Sequence, residues 1–151
     1  MINYIEGDIL EELQPRAHKV IVAHVCNNVG VMGKGFAQQL VEKYPSLRTR
    51  FKNAKLNTPP SNYYFMAQPN IYISNMVCMN GLYNKWNNPK PLDYKALYVC
   101  LEDTKRYAKD IDADIHMPKI GTGFARGNWD LVEKILNEVF KEQTITVWTL
   151  Q

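Results

Sequence analysis

Hydrophobic positions along the chain switch repeatedly between a strand-like and a helix-like period. Tyr4-Ile5 opens as a short strand ending at Gly7-Asp8. Lys19 to Cys26 is a continuous, β-branched run of the kind covered on both faces of a sheet. Phe36, Ala37, Leu40 and Val41 then form one helical stripe that stops before Pro45, and Leu47 to Phe51 adds a further turn. Tyr63 to Ala67 and Ile71 to Val77 read as a hairpin around Gln68-Pro69-Asn70. Asn80 to Leu92 is a polar loop with two prolines. After it, Asp93 caps a long helix that places Ala96, Leu97, Cys100, Leu101, Thr104 and Ala108 on one side. Ile115-His116-Met117 is a short strand. Asn128 caps another helix, with Leu131, Val132, Ile135, Leu136, Val139 and Phe140 facing inward, and Thr144 to Leu150 closes the chain as a strand.

This β–α–β series, with no linker or repeat, predicts a three-layer α/β/α domain with a mostly parallel sheet. The length of 151 residues suits one domain, and a hydrophobic fraction of 46% suits a globular core. No apolar run approaches the roughly 20 residues that span a bilayer. The start, "MINYIEGDIL", lacks the basic and apolar segments of a signal peptide, so a cytoplasmic protein without membrane partners is expected. Cys26, Cys78 and Cys100 lie far apart without a CxxC pair, which reads as buried free thiols. No ligand cluster for a metal stands out, and no cofactor is implied. The net charge of +3 suits an anionic ligand and falls short of a nucleic-acid footprint.

The chemistry concentrates in two glycine loops. Gly33-Lys34-Gly35 and Gly121-Thr122-Gly123 each follow an expected strand and precede an expected helix. Loops in that position offer backbone N–H groups and a positive helix end to an anion, and two facing one crevice suit a diphosphate. A Walker A loop does not fit. Gly30 precedes Gly33-Lys34 by three residues only, and Gly35 stands where the hydroxyl belongs. The dinucleotide GxGxxG also fails, because Phe36-Ala37-Gln38 follows Gly35.

"GDIL", "AHVCNNVGVMGKGFAQQL", "MPKIGTGFARGNW" and "TVWTL" together resemble a macro domain. The likeness runs in order over nearly all of residues 1–151. It is strongest to the branch holding ADP-ribose-1''-phosphate processing proteins, terminal ADP-ribose glutamate hydrolases and DNA-de-ADP-ribosylating antitoxins. The resemblance implies a single three-layer α/β/α macro domain with a mixed, mostly parallel sheet of about six strands. It also implies a crevice for ADP-ribose, free or on a macromolecule, in a monomeric protein.

By the same resemblance Asp8 accepts from the adenine amino group beside the Ile9 N–H, although on its own Asp8 reads as an ordinary turn residue. Asn27 contacts the distal ribose and places water. Gly33, Lys34 and Gly35 line the first loop. Gly121, Thr122, Gly123, Phe124 and Ala125 form the second, and Arg126 reaches a terminal 1''-phosphate. Lys34 either neutralises a phosphate or is simply solvated, and Trp148 either stacks on the base or belongs to the core. The branch's glutamate hydrolases use a lysine and an aspartate. Their positions here fall at Met79 and Ala125, which removes that mechanism. His24 and Asn27 remain as catalytic candidates, with His24 also readable as a core histidine. The implied activity is hydrolysis at the distal ribose, foremost of ADP-ribose-1''-phosphate. The alternatives are a non-catalytic reader of ADP-ribose and a hydrolase or deacetylase working without the usual lysine and aspartate.

Overall fold

A computed structural model describes residues 1–13 and 17–150. Six strands, β1 (Ile2–Glu6), β2 (Lys19–Asn27), β3 (Ser61–Gln68), β4 (Ile71–Met79), β5 (Ala113–Pro118) and β6 (Ile145–Thr149), form one sheet in the order β1-β6-β5-β2-β4-β3. All neighbours are parallel except β3, which runs antiparallel to β4. This is the mixed, mostly parallel arrangement the pattern predicts, and the short Gln68-Pro69-Asn70 connection accounts for its one antiparallel pair.

Alternate residues of β2 serve two separate cores. Val20, Val22 and Cys26 pack with α1 (Ile9–Glu12), α2 (Gly35–Lys43) and α3 (Ser46–Ala54). Ile21 and Ala23 pack with α4 (Tyr94–Ile111) and α5 (Trp129–Val139) on the other face. A strand covered on both sides is apolar along most of its length, which explains the run from Val20 to Ala23. Helix α4 buries all six residues of its predicted stripe, and the Asp93 carboxylate accepts from Ala96 N–H at 3.0 Å as its cap. Deleting a fully buried side chain here, as in Leu101→Ala, would cost about 2–5 kcal/mol.

Two expectations change. In α5, Val132, Leu136 and Val139 are buried, as is Phe140 at its C-cap, but Leu131 is 45% exposed on the side of the helix turned away from them. The Leu47–Phe51 turn is part of a full helix, α3, whose Leu47 and Phe51 anchor it while polar residues cover the remainder. Cys26, Cys78 and Cys100 are free and buried, as read from the sequence. Among the described residues no helix is long and apolar enough to cross a membrane.

Helices following β2 and β5 cover opposite faces of the sheet, so the chain reverses its direction of winding between these two neighbouring strands. A crevice must open there, at the carboxyl ends of the strands.

Candidate functional site

The crevice is present as a cleft of about 610 Å³ between the loops that follow β2 and β5, with Trp148, Thr149 and Leu150 at one end. The first loop begins with an irregularity. The register between β2 and β4 shifts at Cys26/Asn27, so the strand ends on a bulge that re-aims Asn27. Asn27 is buried, and its side chain holds the turn beneath it. Oδ1 accepts from Val29 N–H at 3.1 Å and Val31 N–H at 3.2 Å, while Nδ2 donates to Val31 O at 2.7 Å. Both lone pairs are thereby occupied, and one N–H remains for a neighbour.

The second loop is closed by its own backbone. Gly127 N–H donates to Gly121 O at 2.6 Å and Arg126 N–H to Gly123 O at 3.1 Å. Thr122 gives its hydroxyl to Lys119 O at 3.0 Å. There is no room beneath this turn, because a Cβ on Gly127 would lie 2.5 Å from both Gly121 O and Leu92 Cδ2. The two loops meet across the cleft, where a Cβ on Gly35 would touch the Phe124 ring at 3.4 Å.

Gly33 and Gly123 are different. Neither has a left-handed φ, a Cβ on Gly33 would meet only Val31 Cγ1 at 3.8 Å, and one on Gly123 would meet nothing within 4 Å. Packing and backbone geometry give no reason for glycine at either place.

Among the described residues no aspartate or glutamate lines the cleft. Its cations are Lys34 and Lys119, each poised over a ring instead of a carboxylate. Lys34 Nζ lies 5.2 Å from the Phe124 centroid and Lys119 Nζ 5.2 Å from that of Trp129. An unopposed positive field beside two glycine loops suits anions.

His24 lines the floor and is buried. Its Nε2 lies 2.6 Å from Asn75 Oδ1, and the Asn75 amide donates to Tyr63 O and Ile73 O. Asn75 therefore presents its oxygen to the ring, so Nε2 carries the proton and Nδ1 the lone pair. Burial lowers the His24 pKa to about 4, and the imidazole is neutral at physiological pH. Burial likewise raises Cys26, 3.5 Å from that ring, well above its ordinary value, so the sulfur stays a thiol and is no nucleophile.

Of the residues singled out in the sequence, His24, Asn27, Gly33, Lys34, Gly35, Gly121, Thr122, Gly123, Phe124 and Ala125 all line this one cleft. Asp8, Ile9 and Arg126 do not. The Asp8 carboxylate caps α1 by accepting from Leu10 N–H at 2.9 Å, and Ile9 is buried in the core. The Arg126 guanidinium stacks on Tyr83, 4.0 Å from the ring centroid. Trp148 is a wall residue whose indole N–H donates to His116 Nδ1 at 2.9 Å. Leu82 and Tyr83 also line the cleft. They went unnoticed in the sequence because a polar, aperiodic loop gives no sign of where its apolar residues will fold back.

No family model matches the sequence. The ADP-ribose 1''-phosphate phosphatase of Candida albicans is 29% identical, over 91% of this chain and 93% of that one. A solved structure of a protein of unknown function from Bacteroides thetaiotaomicron superposes with a TM-score of 0.86 at 30% identity, covering 99% of this chain and 98% of the other. The macrodomain of Mycobacterium tuberculosis DarG superposes with a TM-score of 0.77 at 25% identity over 97% of each chain. With the sheet order, the two glycine loops and the cleft between them all in agreement, the chain has the macro domain fold.

Proposed function

We propose that the cleft binds ADP-ribose and that the protein hydrolyses the phosphate of ADP-ribose-1''-phosphate. The observation that carries this reading is the pair Gly33 and Gly123, glycines with open space around them at the mouth of the cleft. Where neither strain nor crowding demands glycine, its use is to let a ligand approach the backbone. The diphosphate lies between the two loops, held by their amides and by Lys34. Trp148 and Leu150 flank the adenosine end, and Asp8, just beyond the rim, receives the adenine amino group. Phe124 borders the distal ribose. The likeness to the Candida albicans phosphatase supports the choice of substrate.

In the reaction, water adds to the phosphorus and the bond to the ribose 1''-oxygen breaks. The water proton passes to that oxygen, giving ADP-ribose and inorganic phosphate. The remaining N–H of Asn27 orients the water, and the unprotonated Nδ1 of His24 is the acceptor set into the floor. Loop amides offset the charge gathering on the phosphoryl oxygens.

One observation favours binding without turnover, namely that among the described residues no carboxylate lines the cleft to act as a strong general base. Calorimetric titration with ADP-ribose, followed by a phosphate-release assay on ADP-ribose-1''-phosphate in the same sample, separates the readings. Micromolar binding with phosphate release is the expected result. Binding without release would make the protein a reader, and no binding would end both readings.

A further inference from the structure

The net charge of +3 conceals a division. Between Leu13 and Leu92 ten lysines and arginines stand against one acid, Glu42, whereas the rest of the chain carries eight against fourteen. Helix α3 displays part of that excess. Arg48, Arg50 and Lys52 are all exposed, and Lys55 follows at the C-cap. Among the described residues none of the four joins an ion pair. Arg48 and Lys52 stand one turn apart, about 6 Å along the axis, and with Lys55 at the left-handed C-cap just past them they make a basic stripe.

The stripe runs into a groove of about 300 Å³ lined by Val29, Gly30, Lys52, Asn53, Lys55 and Asn57. Asn28 joins this groove to a second element. Its Nδ2 donates to Asn57 O at 3.3 Å, and its Oδ1 accepts from Gly81 N–H at 2.8 Å, where the 80–92 loop departs. That loop has no acid. It carries Trp86, 83% exposed, with Lys85 Nζ 4.8 Å from its ring centroid. An indole left in water beside a cation is a stacking surface without an occupant.

We propose that α3 and the adjoining 80–92 loop form a docking surface, outside the cleft, for single-stranded nucleic acid. Arg48, Lys52 and Lys55 hold successive phosphodiesters, and Trp86 stacks on a base. The exposed indole selects this partner over an acidic peptide, whose carboxylates would use the cations and leave the ring unemployed. The surface does not depend on what occupies the cleft.

The test is fluorescence anisotropy with a labelled oligothymidylate of about twenty nucleotides, read between about 50 and 200 mM salt. Three phosphate contacts predict a log–log salt slope of about −2, at ~0.7 per contact on a single strand. Combined reversal, Arg48→Glu with Lys52→Glu and Lys55→Glu, should weaken binding about tenfold or more, and Trp86→Ala about fivefold or more. All these residues are exposed, and ADP-ribose titration of the same variants should be unchanged, so failure here and failure of the cleft reading are told apart. Unaltered oligonucleotide affinity in the triple variant would overturn the proposal. So would a polyglutamate that competes as well as the oligonucleotide at equal charge, since it would assign the surface to an acidic protein.

Discussion

The two loops that frame the cleft reach similar shapes by opposite means. The loop after β2 hangs on one side chain, Asn27, whose three hydrogen bonds hold residues 29 to 31, and Val29 and Val31 above it are about half exposed. The loop after β5 needs no side chain at its centre. Gly127 and Gly121 bond backbone to backbone with no space for a Cβ between them, and Leu92 seals the underside. Rigidity in one case rests on a polar group that can be removed singly, and in the other on close contact that can only be wedged apart. Each loop nevertheless keeps one glycine, Gly33 or Gly123, that its own construction does not require.

Wedging the second loop should have the largest effect. Gly127→Ala places a methyl group within 2.5 Å of Gly121 O and should cost about 3 kcal/mol in urea unfolding, with loss of ADP-ribose binding. Unchanged stability would show that this loop is not locked. Acid should strain the stem of the first loop by a similar amount. The folded His24 pKa of about 4 lies below the ~6.5 of a free imidazole, so the unfolded chain takes the proton first. Stability is full above about pH 6.5 and drains by about 3 kcal/mol as pH falls to about 4. His24→Gln, which retains a donor to Asn75, should remove that increment when its stability–pH curve is subtracted from that of the parent.

Cutting the staple comes next. Asn27→Ala should cost about 2 kcal/mol and weaken ADP-ribose binding, because it frees Val29 N–H, Val31 N–H and Val31 O at once. The smallest effect on stability is the most telling for function. Gly33→Ala and Gly123→Ala should each shift unfolding by less than about 0.5 kcal/mol and still weaken ADP-ribose at least about tenfold. Full affinity in both would remove the observation on which the proposed ligand rests.

Much of this architecture is legible in the residues. Helix α4 announces itself through its stripe and the Asp93 cap, α5 through Asn128, and the parallel sheet through the unbroken apolar run of β2. The glycine loops are legible because their position between strand and helix is local information. What escapes the sequence leaves no periodic pattern in it. That Asp8 also caps α1 is hidden, because a four-residue helix is too short to leave a periodic trace. Arg126 gives no sign of its aromatic partner, because Tyr83 lies in a loop more than forty residues earlier. Leu131 keeps the helical period of its neighbours and still faces water, since period alone does not say where a core ends.

Trp148 is pinned inside the cleft wall, its N–H on His116 and its six-membered ring 3.3 Å from where a Gly7 Cβ would stand. In optical terms the protein contains its own gauge. Of its three indoles, Trp86 reports on bulk water, while Trp148 reports on whatever displaces water from its end of the cleft. Occupancy is therefore readable as emission from the unlabelled chain, and replacing Trp86 by phenylalanine clears the solvent-exposed background without touching the wall that speaks.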